Sequence, residues 1–216
     1  MQQTHIRTPP LTKTNKIVII IAASIFVLDN ILMKFGGASL SRFISLNMGG
    51  LFSGYLWQIV TYPFAGSGLF EVLFNCLLVW FIGSEMEQIW GTKKYLQFFV
   101  ISTLGGGLLY LLLSATVSHS MVSLAGLMGV ANALCMAYAL IFPNNLFSFM
   151  FIFPVKAWVF CLFIVGIQLF QGLFSSMGLY SLGHLGAMAA GYLFLLIISK
   201  AKAGKLGSSR KLGLAE

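Results

Sequence analysis

Charge is what this sequence has least of. Asp and Glu together number 5, and Lys and Arg 13, among 216 residues, so 8% of the chain is charged where a soluble domain averages about 25%. Such scarcity excludes a soluble globular enzyme and a charge-rich disordered regulator. Cysteine is nearly as rare. Cys76, Cys135 and Cys161 all lie inside apolar runs and form no CxxC pair, which excludes a disulfide-stapled secreted domain and a cysteine metal centre. They read as small buried hydrophobes. No metal or cofactor is implied. What the chain does have is apolar length: 58% of residues are hydrophobic and mean hydropathy is +0.92. One bilayer crossing takes about 20 mostly apolar residues, which leaves room here for six. The expected fold is an all-α membrane bundle of six transmembrane helices.

The charge of +8 is informative once it is located. It sits mostly in a basic segment at residues 1–16, a basic tail at 200–216 and one short loop. That placement reads as membrane orientation, not as a nucleic-acid surface, so lipid and not nucleic acid is the expected partner. Between the two tails, residues 17–199 hold the transmembrane domain. Spans are expected at about 17–33, 69–88, 95–114, 122–142, 155–174 and 180–199. The first resembles a signal-peptide core, but Asp29 near its end and the lack of a small-x-small cleavage site favour a retained helix. Residues 34–66 are rich in Gly, Ser, Asn and aromatics. They form a long first loop whose Phe52, Tyr55, Leu56 and Trp57 suit short helices at the membrane surface. The tail at 200–216 has a disordered composition.

Six spans put both tails on one side, with Arg7, Lys13, Lys16, Lys93, Lys94, Lys156 and the tail lysines and arginine. Only Lys34 and Arg42 fall on the other, a distribution of 11 against 2 that predicts cytoplasmic termini. Short loops and a compact form point to a bacterial inner membrane. Polar groups inside spans are costly and ask for a reason. Glu71 and Asn75 are four apart on one face of span two, Asn132 lies one turn after Met128 in span four, and His184 opens span six. The topology puts all five in the outer part of the bilayer, around one cavity. Small residues at four-residue spacing, Gly129, Ala133 and Ala137 in span four and Gly183, Ala187 and Gly191 in span six, predict close packing of these two helices.

Three motifs then stand in order: Leu73-Phe74-Asn75 followed by Gly83-x-x-x-Glu87-x-x-x-Gly91, Gly126-Leu127-Met128-Gly129, and His184-Leu185-Gly186-x-x-x-x-Gly191. With Phe142-Pro143-Asn144 and Phe153-Pro154-Val155-Lys156-Ala157, they resemble the bacterial rhomboid intramembrane serine proteases from about Trp57 to Leu196. The resemblance implies a serine nucleophile in span four, a histidine base in span six and a His-x-x-x-Asn oxyanion pair in span two. It gives His184 the base position and Asn75 the second oxyanion position. Elsewhere the chain departs: the nucleophile position falls on Met128, the oxyanion histidine position on Glu71, and Asn132 replaces a following aromatic. A second register puts Ala125 in the serine slot, and Ser123 is a nearby hydroxyl.

Chemistry weighs these departures. A thioether has no proton for a base to remove, so Met128 is a poor nucleophile. An ionised Glu71 brings negative charge to a place that needs donors. The expected function is a pseudoprotease that binds transmembrane helices or other membrane proteins. Two alternatives stay open: an active protease with a non-standard site, and a small channel or transporter. Glu71 itself reads as an interfacial carboxylate, a partner of His184 or Asn132, or part of a partner site. Glu87 is expected to bond backbone or loop groups. Gln168 and Gln171 bond between helices or face a substrate helix. His5 and His119 read as solvated tail and loop residues.

Overall fold

The computed structural model describes residues 10–66, 68–116, 123–149, 153–175 and 178–212, with the backbone alone at 146–149, 153–154 and 201–212. His5, Arg7, His119 and Val122 lie outside the described residues. The first helix, α1, runs Lys13–Gly36, and three short helices follow in the long loop: α2 Ser41–Ile44, α3 Met48–Phe52 and α4 Gln58–Thr61. A single 3-10 turn covers Tyr62–Phe64. The second span is a composite: α5 Leu69–Leu78, one wide π turn at Val79–Gly83, then α6 Ser84–Trp90. Beyond it come α7 Thr92–Thr116, α8 Met128–Ile141, a hairpin of β1 Leu146–Phe149 and β2 Phe153–Lys156, α9 Ala157–Phe174 and α10 Gly178–Leu212. Among the described residues, five helical spans (α1, α5–α6, α7, α9 and α10) are long and apolar enough to cross a membrane. This is a multi-pass membrane protein whose spans are all helical.

The structure differs from the sequence expectation at four places. The first helix starts at Lys13, because Asn15 is buried in a polar cluster and is held in the helix by it. The fourth, α8, starts at Met128 and not near residue 122. Its 14 residues span about 21 Å, short of a bilayer core of about 30 Å. The preceding residues are committed elsewhere. Leu46 and Leu124 exchange backbone hydrogen bonds of 2.9 and 2.8 Å, and Gly126 N–H donates to the Tyr62 carbonyl at 2.9 Å. Gly126 also takes φ +86°, a left-handed conformation that ends any helix running back from Met128. The connection between α8 and α9, expected only as the gap between two spans, contains an antiparallel hairpin. Finally, the backbone of α10 continues helically to Leu212, through the tail whose composition suggested disorder.

The tightest helix pairing joins α7 to α10. A Cβ added at Gly105 would meet Ala190 Cβ, and one at Gly106 would lie 3.0 Å from the Gly183 carbonyl oxygen. One at Gly186 would lie 2.9 Å from the Gly105 carbonyl oxygen and 2.7 Å from Leu109 Cβ. Missing side chains let the two backbones touch, the main source of association energy in lipid. The long loop closes one end of the bundle. Its buried Tyr62 donates to the Thr103 carbonyl of α7 at 2.8 Å, and burial pushes that phenol's pKa upward, so it stays a neutral donor. Asp29, near the end of α1, accepts from Ser39 Oγ, from Ser41 N–H at 3.0 Å and from Ser41 Oγ at 2.6 Å, tying α1 to the start of α2.

Candidate functional site

Two polar centres lie along the second span. The one built on Glu87 is fully bonded. Its carboxylate accepts from the hydroxyls of Thr12 and Thr14, from Asn15 Nδ2 at 3.2 Å and from Thr92 Oγ1 at 2.8 Å. Asn15 Oδ1 in turn accepts from the Tyr95 hydroxyl. Gly83 allows this: a Cβ there would lie 2.7 Å from the Tyr95 oxygen and 2.9 Å from Asn15 Oδ1. Gly91, at φ +77°, turns the chain from α6 into α7, so that Thr92 faces back towards Glu87. With four donors on one carboxylate, this centre joins α1, α6 and α7 and leaves no acceptor for a ligand.

At the other centre several polar atoms stand unbonded. Glu71 is half-buried on α5, and the Tyr180 hydroxyl of α10 lies 2.9 Å from both Glu71 Oε1 and the Ala125 carbonyl oxygen. The hydroxyl has one proton, and a carboxylate is the stronger acceptor. The Glu71 oxygen also sits against Gly126, 2.6 Å from where a Cβ would be. Glu71, Asn75, Gly126 and Leu127 line a small pocket with room for about one water molecule.

His184 is buried on α10. Its Nδ1 lies 3.3 Å from Gln168 Oε1 of α9, and its ring meets that of Tyr180 edge-on with centroids 4.4 Å apart. With Gln168 Oε1 accepting, Nδ1 carries the proton and Nε2 presents its lone pair. Ser181 Oγ donates to Gln171 Oε1 at 3.0 Å, so both glutamines of α9 bond to α10. Gly129 lets the ring approach α8: a Cβ there would be 3.3 Å from both His184 Cδ2 and Ala187 Cβ. Met128, the first residue of α8, is half-buried beside that contact. Three buried atoms of this region have no hydrogen-bond partner: Asn75 Oδ1, Asn132 Nδ2 and His184 Nε2. Unbonded polar atoms in a packed interior are rare, and each calls for an explanation.

The structure thus joins Glu71 to the Gly126 turn and the Gly129 face of α8 to His184. It divides the small-residue stripe of α10. Ala187 meets Gly129 of α8, while Gly183 packs on Leu124 and Tyr110, and Gly191 on Phe98 and Ser102 of α7. Ala133 and Ala137 are buried within the central apolar cluster. Tyr180 is the residue that sequence reasoning passed over. Its signal was its position four before His184, on the same helical face. The three cysteines are free, and among the described residues no group of three His, Cys, Asp or Glu side chains converges as a metal site. A family model described as Rhomboid domain matches residues 53–201. No curated protein matches the sequence.

Proposed function

We propose a function from one premise, that the chain belongs to the rhomboid family: it is a pseudoprotease, a membrane protein that holds transmembrane helices of partner proteins without cleaving them. The observation that carries this reading is the pairing of His184 with α8. The base-position ring packs on Gly129, next to Met128, whose thioether offers no proton to the Nε2 lone pair. Glu71 supports it further. Its carboxyl group, bonded to Tyr180 and set against Gly126, stands at the oxyanion-histidine position, and in ionised form it brings negative charge where a tetrahedral intermediate needs donors. Each such donor is typically worth about 2.7–4 kcal/mol.

Binding without chemistry still requires a shaped surface. The exposed apolar faces of α5 (Leu69, Phe70, Leu73) and α9 (Phe163, Phe170, Leu173) supply hydrocarbon-facing contact for a partner helix. The reading sets both termini in the cytoplasm of a bacterium, with the polar centre at Glu71 in the outer half of the inner membrane. The distribution of basic residues supports this. The test is incubation in proteoliposomes with a transmembrane substrate accepted by an active rhomboid, alongside labelling with a serine-reactive fluorophosphonate. No product and no label are expected. Cleavage by the unmodified protein that His184→Ala abolishes would overturn the reading in favour of a protease.

A further inference from the structure

Helix α1 turns one face into the bundle. Asn15, Val18, Ala22 and Asp29 are buried there, at a spacing that keeps them on one side. The opposite side carries Ile17, Ile20, Ser24, Val27 and Ile31, all exposed. Their intervals alternate between three and four residues, the repeat that joins two helices along a left-handed seam. Any fully exposed helix face shows a similar spacing, so the spacing alone decides nothing. Two further observations do.

The first is a polar group without a partner. Ser24 stands at the midpoint of α1 with its side chain exposed. Among the described residues nothing hydrogen-bonds its hydroxyl. Asn30 on the same helix, by contrast, bonds the Phe26 carbonyl at 2.8 Å. A hydroxyl facing hydrocarbon at mid-span costs free energy until it finds a partner. The second observation is shape. Ala23 and Ser24 are small, and with Val27 and Leu28 they line an open depression in that side of the helix. Small residues of this kind let a second backbone come close in lipid.

A partner for this face is an apolar helix with a hydrogen-bonding group at mid-depth. A second α1 meets both conditions. Copies of one chain insert the same way round, so their first helices run parallel. In a two-fold pair each seam residue then faces its own counterpart. Ser24 meets Ser24, one hydroxyl donating and the other accepting. Around them Ile17, Ile20, Val27 and Ile31 are stiff β-branched side chains that lose little rotamer freedom on packing. Lys13 and Lys34 continue the spacing at its two ends. Their ammonium groups reach water, which screens the like charges of a parallel pair. We propose that the chain forms a parallel homodimer through the outward face of α1, centred on Ser24.

The test is oxidative cross-linking of the full-length protein in proteoliposomes, one introduced cysteine at a time. The parent measures the background from Cys76, Cys135 and Cys161. Ser24→Cys and Val27→Cys should give a dimer several-fold above that background. Ile21→Cys and Leu32→Cys, exposed on the flank of the helix, should not. Energy transfer between copies labelled in the C-terminal tail then gives the dissociation constant in lipid. Ser24→Ala should weaken pairing about threefold, the loss of one interhelical hydrogen bond. Ser24→Phe overfills the depression and should weaken it at least about tenfold. Both changes are on an exposed face, so the monomer should keep its helicity. Equal cross-linking at all four positions overturns the proposal, as does none above the parent. A Ser24→Phe protein that pairs as tightly as the parent overturns it too. The readout is self-association and not cleavage, so it stands or falls apart from the pseudoprotease reading.

Discussion

Adding one methyl group at Gly186 tests the packing of α7 on α10 directly. In Gly186→Ala the new Cβ would lie 2.7 Å from Leu109 Cβ and 2.9 Å from the Gly105 carbonyl oxygen. Carbon atoms rest comfortably at about 3.5–4.0 Å, so the helices must part by roughly 1 Å. The leucine can shift, but the carbonyl belongs to the backbone of α7 and moves only with the helix. Overpacking costs about 1–3 kcal/mol, and the backbone contact puts this variant in the upper half of that range. Gly166→Ala on α9 is the control, since an added Cβ there meets nothing within 4 Å. In a helix interior that exchange gains about 0.5–1 kcal/mol through backbone entropy. The same chemical change should thus move stability in opposite directions. The assay is thermal unfolding with a thiol-reactive dye, because Cys135 is buried and Cys76 and Cys161 are half-buried until the bundle opens. A Gly186→Ala protein as stable as its parent, or a Gly166→Ala protein that falls as far, would refute the reasoning.

Further outcomes follow from the two polar centres and from the charge distribution. Met128→Ser alone should restore little cleavage, and Met128→Ser with Glu71→His considerably more than the product of the single effects, since catalytic groups act as a unit; a cleavage assay on all four proteins reads this. Gln168→Leu strips His184 Nδ1 of its partner and should cost about 1–3 kcal/mol in thermal unfolding. Glu87→Ala removes the acceptor of four donors and should cost more than the about 1–3 kcal/mol of a single unmade bond, whereas Thr92→Ala should cost less than Glu87→Ala in the same assay. A periplasm-only reporter should be silent after Glu216 and active near His119; the reverse pattern would move the Glu71 centre to the cytoplasmic side.

The spans were legible because hydropathy is a local property, and each apolar run carries its own reason to be helical in lipid. The motif order placed Met128, His184, Glu71 and Asn75, and the structure brings the elements carrying them into contact at one end of the bundle. What escaped was non-local. Nothing near Leu124 announces that its backbone pairs with Leu46, some eighty residues earlier, and that pairing shortens α8. The partners of Glu87 come from Thr12, Thr14 and Asn15, in a segment that reads as a solvated basic tail. The stripe on α10 was visible and Ala187 meets Gly129 of α8, but the packing of the same helix on α7 went unread, because Gly105-Gly106-Gly107 does not repeat at four-residue spacing. The short α8 shows the opposite limit, where an apolar run overstates the helix it contains.

The wide turn at Val79–Gly83 sets the phase between the two ends of the second span. From Asn75 to Glu87 is twelve residues, and both side chains are buried. At about 100° per residue, an unbroken α-helix would leave them about 120° apart, with one of the pair turned out to hydrocarbon. The π turn absorbs one residue, so the angular offset falls to about 20°. The span therefore works as a shaft with two keyed ends and a single spacer between them. Deleting one residue within 79–83 should turn the wide turn into plain α-helix and keep Glu87 in phase with Asn75, whereas closing the turn into α-helix at unchanged length would rotate the Glu87 end by about 100° out of its socket of hydroxyls. The one extra residue is thus a phase adjuster: it lets a single span present Asn75 and Glu87 to the interior at both of its ends, and a change of length there is felt at the two polar centres together.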